Sequence, residues 1–268
     1  MLFRPLCGNK VTELTAVERN LRLCFRALAA ARSGSENRVS SGVEVISLGV
    51  RFQMFNAAFL SSEVVDETDL ERRILSARVR FGVRGINWSF WLCDGLLTPA
   101  LNRRAGKLFE RHGLHLATQM PGMVAARFPP PARELPAIEV AEVRDAATLE
   151  NFRDIGSACF RVPVAWFEEV FDSHTTERAP FRGWLGYVDG KPMCTAATVA
   201  DDSTLGIYNV ATLPGFRARG YAEALMREAL SREAAQERHI VLQSTTAGME
   251  LYHRLGFQKI TNFRVWTS

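Results

Sequence analysis

The segment Tyr208-Asn-Val-Ala-Thr-Leu-Pro-Gly-Phe-Arg-Ala-Arg-Gly-Tyr-Ala222 holds the residue types most able to do chemistry. It reads as a strand that runs through a short loop into a helix. A helix N-terminus leaves backbone N–H groups without intrahelical partners and carries a partial positive charge, which suits an anion. Gly220 and Ala222 are small enough to let a pyrophosphate approach the backbone, and Arg217 and Arg219 add charge. The P-loop spelling GxxxxGK followed by Ser or Thr is absent, as is GxGxxG after a strand, which argues against a nucleotide hydrolase or a dinucleotide enzyme. Taken alone, the loop is equally well explained as a surface turn that tolerates two arginines and a glycine.

Those residues need a sheet and a helix to position them, and the second half supplies the pattern. Ile138–Val143, Gly183–Val188, Met193–Val199, Leu205–Thr212, Ile240–Ser244 and a segment around Phe263–Trp266 read as strands, with Asp189-Gly190 as a hairpin signal. Asp145 caps a helix running to about Phe160, and Pro163–Phe171 forms a shorter one. The best helix is Tyr221–Glu237, whose Ala222, Leu225, Met226, Ala229 and Leu230 fall on one face. Gly248–Leu255 is the last helix. The first half reads as a helix from about Thr15 to Arg32, a polar loop Ser33–Gly42 and a strand Val43–Val50. A helix opened by the capping box Thr68-Asp-Leu-Glu71 follows, then an aromatic strand Asn87–Cys93 and a helix Leu101–His112.

Four prolines within Phe128–Pro136 cannot sustain a helix or a central strand. We therefore expect two units, 1–128 and 137–268, joined by a stiff connector 129–136, in line with about 100–200 residues per domain. Leu108-Phe-Glu-Arg-His-Gly-Leu114 can be laid over Leu251-Tyr-His-Arg-Leu-Gly-Phe257 near the end of each half, which suggests duplication.

The chain is 47% hydrophobic and 23% charged, enough for sizeable cores and unlike a disordered or disulfide-framed protein. Its net charge is only +4, and its arginines are spread along the chain, so no nucleic-acid-binding face is expected. Cys7, Cys24, Cys93, Cys159 and Cys194 form no CxxC pair and are odd in number, which points to free thiols and no metal site. No run of about 18 apolar residues spans a membrane, and no signal peptide is evident, so a cytoplasmic location is expected.

Ala211-Thr-Leu-Pro-Gly-Phe-Arg-Ala-Arg-Gly-Tyr-Ala222 resembles motif A of the GCN5-related N-acetyltransferases (GNAT), Arg/Gln-x-x-Gly-x-Gly/Ala, and Ser244-Thr-Thr-Ala-Gly-Met-Glu-Leu-Tyr-His-Arg-Leu-Gly-Phe257 resembles that family's motif B. The two stand in the family's order with a helix between them, and the resemblance covers about residues 137–268. It implies a mixed α/β (α+β) GNAT fold and acetyl-CoA as cosubstrate. With the internal similarity, the first half is expected to be a degenerate GNAT-like domain, giving a tandem of two. Carried onto these positions, it implies that the backbone of Val210, Ala211 and Thr212 bonds the pantetheine arm. Arg217, Ala218, Arg219, Gly220, Tyr221 and Ala222 would cradle the pyrophosphate, and Ser244 would flank the arm. Tyr252 matches the family's general acid, and a phenol at about 10 can return a proton to a thiolate whose acid lies near 8.5.

The expected reaction is acyl transfer, most simply of acetyl, to a primary amine of unknown identity. The alternative is a non-catalytic acyl-CoA-binding regulator. No general base can be read: Asn209 stands where some relatives carry a carboxylate, and Glu168, Glu169 and His174 are explained by a solvated face. His253 adjoins Tyr252 but points about 100° away on a helix. His112 and His115 have no partners at ligand spacing. In the first half, Phe109 stands where Tyr252 would be and cannot donate a proton. The strand Asn87–Cys93 is expected to be buried sheet, with an aromatic wall to the acceptor pocket as the other reading.

Overall fold

The computed structural model describes residues 10–30, 32–173, 180–233 and 238–268. The first half contributes α1 (Lys10–Ala30), β1 (Glu36–Ser40), β2 (Val43–Ser47), β3 (Asn56–Leu60), α2 (Glu67–Arg84), β4 (Ser89–Cys93), α3 (Pro99–Arg111) and β5 (His115–Ala125). The second contributes β6 (Glu139–Glu142), α4 (Ala146–Phe160), α5 (Val164–Val170), β7 (Phe181–Val188), β8 (Lys191–Ala200), β9 (Thr204–Thr212), α6 (Tyr221–Arg232), β10 (His239–Gln243), α7 (Met249–Arg254) and β11 (Gln258–Thr267).

The eleven strands among the described residues form one mixed sheet in the order β1-β2-β3-β4-β11-β5-β10-β9-β8-β7-β6. The halves exchange their closing strands. β5, which ends the first half, pairs with β10 of the second, and β11, which ends the second, pairs with β4 of the first. β5 and β11 then pair with each other at the centre. The sequence similarity between the two closing turns has a backbone counterpart. The Leu114 N–H donates to the Phe109 carbonyl at 3.1 Å, and the Phe257 N–H donates to the Tyr252 carbonyl at 3.0 Å. Gly113 (φ 75) and Gly256 (φ 87) supply the left-handed residue in each turn.

One face of the sheet is covered by α1, α4 and α5, over a core that draws Leu21 and Phe59 from the first half and Phe152, Phe181 and Val241 from the second. On the other face α2 and α3 cover the first half, and α6 and α7 the second. Asn20 on α1 is fully buried. Its amide donates to the Val199 carbonyl (3.1 Å) and to Thr204 Oγ1 (2.8 Å), and accepts from the Tyr208 hydroxyl (2.7 Å). A Cβ at position 206 would overlap Asn20 Oδ1, so Gly206 is what lets this first-half helix settle on β9.

Three elements differ from the sequence expectation. The loop Ser33–Gly42 contains β1, because Ser41 (φ 54) and Gly42 (φ 80) make a tight hairpin turn. That strand is almost wholly exposed and so shows no apolar alternation. α2 is capped by Asp66, which accepts the Asp69 N–H at 2.8 Å, two residues before the expected box at Thr68. β3 is buried along its whole length, a short apolar run without the period of a half-exposed strand. The helix expected over Tyr221–Glu237 is seen to Arg232, and residues 234–237, His174 and Cys7 lie outside the described residues. Cys24, Cys93, Cys159 and Cys194 are free thiols. Among the described residues no helix is long and apolar enough to cross a membrane.

Candidate active site

β9 and β10 are parallel neighbours only from Thr204–Gly206 against His239–Val241. Past Gly206 they separate, and β9 keeps only its partner β8. There its register slips between Tyr208 and Ala211, so that Asn209 and Val210 together oppose Ala196, and Asn209 takes a left-handed conformation (φ 48). Such a bulge turns backbone groups away from the ladder. The gap opens into a cavity of about 1190 Å³.

One end of the cavity is the start of α6. Its cap residue is Gly220 (φ 96), and no side chain caps the helix, so its first N–H groups stay available. A Cβ at Gly220 would meet Pro136 Cδ at 3.1 Å, so both conformation and space require glycine there. Arg217 Nε donates to the Thr212 carbonyl at 2.9 Å, tying the loop to the end of β9. Ala218 is left-handed (φ 61), and its carbonyl receives the Arg133 guanidinium at 3.4 Å. The proline-rich segment is therefore part of this wall: Pro130, Ala132 and Arg133 line the cavity, and Phe128 packs on Phe257 with ring centres 5.7 Å apart.

Val210, Ala211, Thr212, Arg217, Ala218, Gly220, Tyr221, Ala222 and Tyr252 all line this cavity. Arg219 and Ser244 do not. The Arg219 guanidinium lies 5.6 Å over the Phe216 ring, and buried Ser244 donates its hydroxyl to the Thr245 carbonyl at 2.6 Å. Tyr252 is half-buried, its ring edge-on to Phe257 at 5.7 Å. Burial pushes its phenol up to about 12, so at neutral pH it is a proton donor and not a base. The Asn209 Nδ2 and Thr212 Oγ1 atoms are buried without hydrogen-bond partners beside the gap.

Three other titratable candidates, Glu169, His253 and His112, are engaged elsewhere. Burial alone would raise Glu169, but the Arg51 backbone N–H and guanidinium outweigh it and hold the carboxyl below its usual range. His253 Nδ1 lies 3.1 Å from the Phe257 carbonyl at the end of α7, and His112 Nε2 lies 2.8 Å from Glu71. Among the described residues no three His, Cys, Asp or Glu side chains group as metal ligands.

The other end of the cavity is an aromatic chamber on the α1 and α5 face, of which sequence reasoning named only the Asn87–Cys93 strand, as the second reading of that segment. Phe25 of α1 stacks on Phe55 at 5.5 Å and meets Trp91 edge-on at 5.4 Å. Phe55 meets Phe171 at 6.4 Å, and Phe171 meets Phe167 at 5.4 Å. The strand Ser89–Cys93 splits by alternation: Trp91 lines the chamber while Phe90 and Leu92 enter the core under α2 and α3. The available signal was the 17 Phe residues, several of them grouped at 52–59 and 160–181.

Residues 180–259 match the family model described as Acetyltransferase (GNAT) domain. This segment is a GNAT acetyltransferase domain. No curated protein matches the chain. Among solved structures, a GCN5-related N-acetyltransferase from Kribbella flavida is similar over 94% of this chain and 95% of its own, with TM-score 0.70 and 18% identity. A functionally unknown conserved protein from Staphylococcus epidermidis aligns over 88% and 94% of the two chains, with TM-score 0.65 and 12% identity. A tandem GNAT protein from the clavulanic acid biosynthesis pathway aligns over 97% and 93%, with TM-score 0.57 and 11% identity. The tandem GNAT fold thus extends over both halves. The segment that matches the GNAT model contains the α6 loop and Tyr252, whereas Phe25, Phe55, Trp91, Phe167 and Phe171 of the chamber come from outside it.

Proposed function

We propose that this GNAT acetyltransferase moves an acetyl group from acetyl-CoA to a primary amine by direct attack, with Tyr252 protonating the departing thiolate. One observation carries the reading. The gap between β9 and β10 opens on a cavity whose walls hold an uncapped, arginine-flanked helix N-terminus and a protonated phenol. The residues present fit such a cosubstrate, which supplies an acetyl thioester when bound. The free edge of Val210, Ala211 and Thr212 offers backbone groups to the pantetheine arm, and Arg217 through Ala222 bracket the pyrophosphate. Ser244 stands at the end of β10, on the other side of the arm.

In the transfer, the amine lone pair forms the new C–N bond, the C–S bond breaks, and the Tyr252 O–H gives its proton to sulfur. The amine sheds its own proton to solvent. A phenol near 12 is a weak acid, and a thiolate leaving into surroundings poorer in water than bulk solvent is the stronger base that takes its proton. In this reading residues 137–268 are the catalytic unit, 129–136 the connector and 1–128 a supporting half without chemistry of its own.

Calorimetry on the intact chain tests the cosubstrate. We expect one acetyl-CoA per chain with micromolar affinity, weakened about tenfold or more by Arg217→Ala with Gly220→Glu, which removes one charge and adds its opposite at the helix start. Absence of binding overturns the proposal, and two acetyl-CoA per chain would overturn the supporting role of the first half.

A further inference from the structure

We infer that the aromatic chamber is the acceptor subsite, that it takes a hydrophobic primary amine, and that Gln243 holds the nitrogen. The inference rests on the acetyl-transfer reading and names its second substrate.

The chamber's wall states what it solvates. α1, the turn Gln53–Phe55, β4 and α5 all turn aromatic or aliphatic carbon toward it. Among the described residues the one carboxylate in the cavity wall is Glu223, which lies at the start of α6 and is paired with Arg227 at 2.8 Å. A polycationic acceptor or a free amino acid would therefore lose its hydration without a counter-charge, whereas a ring or an alkyl body gains by leaving water. The whole cavity, at about 1190 Å³, also exceeds the usual small-molecule range of about 300–1,000 Å³. There is room for a bulky body in addition to a thioester arm.

Of the unpartnered polar atoms in the cavity wall, Asn209 Nδ2 and Thr212 Oγ1 belong to β9 and Gln243 Oε1 to β10. Gln243 ends β10 and lines the cavity. Its Nε2 donates to the Val17 carbonyl of α1 at 3.3 Å, which anchors the amide on the acceptor face of the sheet. Its Oε1 is buried and accepts nothing. Continuing the β9–β10 register past Val241 and Gly206 sets Gln243 opposite Tyr208, next to the bulge at Asn209 and Val210. A buried carbonyl oxygen of this kind calls for an N–H donor. An amine nitrogen delivered to the bulge supplies one; a long saturated acyl tail in the same chamber does not.

The arrangement also lessens the need for a general base. Among the described residues no carboxylate lines the chamber, and an ammonium in such apolar surroundings is destabilised relative to the neutral amine. The nitrogen arrives neutral, donates one N–H to Gln243 Oε1 and keeps its lone pair for the thioester carbon. Tyr208 is not a competing base, since its hydroxyl already donates to Asn20 Oδ1.

The test uses the full chain with acetyl-CoA and three acceptors: 2-phenylethylamine, spermidine and lysine. We expect kcat/KM for 2-phenylethylamine to exceed that for the other two by about a hundredfold, the order that one buried ring confers. Gln243→Leu should lower kcat/KM for 2-phenylethylamine about tenfold, and Phe55→Ala should raise its KM by a similar factor, both leaving acetyl-CoA affinity within about twofold. Should either variant fail to fold, thermal shift of the unaltered chain decides: with CoA present, 2-phenylethylamine raises the Tm and spermidine does not. Equal turnover of spermidine overturns the inference, as does octanoyl-CoA binding about tenfold or more tightly than acetyl-CoA, since the chamber would then hold an acyl tail. Either result, with acetyl-CoA still bound, leaves the acetyl-transfer reading standing; no acetyl-CoA binding removes both.

Discussion

Two strand–helix–strand units, β3–α2–β4 in the first half and β9–α6–β10 in the second, share a parallel geometry and differ at the helix N-terminus. α2 is capped by Asp66, and its first turn carries Glu67 and Asp69. Buried Arg73 fills the loop before it, donating to the Ser62 and Glu63 carbonyls at 2.8 Å each and pairing with Asp69 at 2.7 Å. That end of the helix is saturated by its own side chains and lined with negative charge. α6 begins on a bare glycine with arginines in the preceding loop. The closing turns repeat the contrast. Phe109 is fully enclosed, stacked on Trp266 at 5.0 Å, whereas Tyr252 stands on a cavity wall. The two units share a backbone frame, and one fills its openings with its own side chains while the other leaves a cavity.

The comparison is broken most severely by separating the halves. β5 lies between β10 and β11, so each half alone would bare strand edges normally covered by the other. We expect residues 1–128 and 137–268, expressed apart, to aggregate, and the intact chain to melt in a single calorimetric transition. Two resolved transitions would mean that the halves are stable bodies and that the exchange is incidental.

That exchange was invisible in the sequence for a physical reason. Strand pairing is set by distant partners, and the first six residues of β5, exposed or half-exposed, carry no clean alternation. The signals that were legible are local: the Asp145 cap, which accepts the Thr148 N–H, the Asp189-Gly190 turn, the stripe of α6, and the glycine that opens it. The chamber fell between these cases. Its phenylalanines are plain as apolar residues, but whether an apolar residue faces a core or a void depends on packing that no local spacing encodes.

At the chemistry itself, Tyr252→Phe gives the second copy the side chain of the first. We expect turnover to fall about 10²–10³-fold with acetyl-CoA affinity unchanged. Because burial holds the phenol near 12, the unaltered enzyme should show no alkaline loss of kcat assignable to this group below about pH 11. The converse change, Phe109→Tyr, should restore nothing. It places a hydroxyl in a closed core, against the stacked ring of Trp266. A stability loss of about 1–3 kcal/mol in denaturant melts is the expected cost.

The smallest effect isolates the cap. Asp66→Ala removes the acceptor for the Asp69 N–H, and the loss of an N-cap costs about 0.5–2 kcal/mol. It also bares the start of α2 in the way α6 is bare. If an open helix end were sufficient, the variant would gain a second, weak acetyl-CoA site. We expect none, because Glu67, Asp69 and the Arg73 plug still occupy the approach. Calorimetry of Asp66→Ala should therefore return one acetyl-CoA per chain at unchanged affinity and a slightly lower Tm. A second site would shift the weight of the comparison from the parted strands to the cap alone.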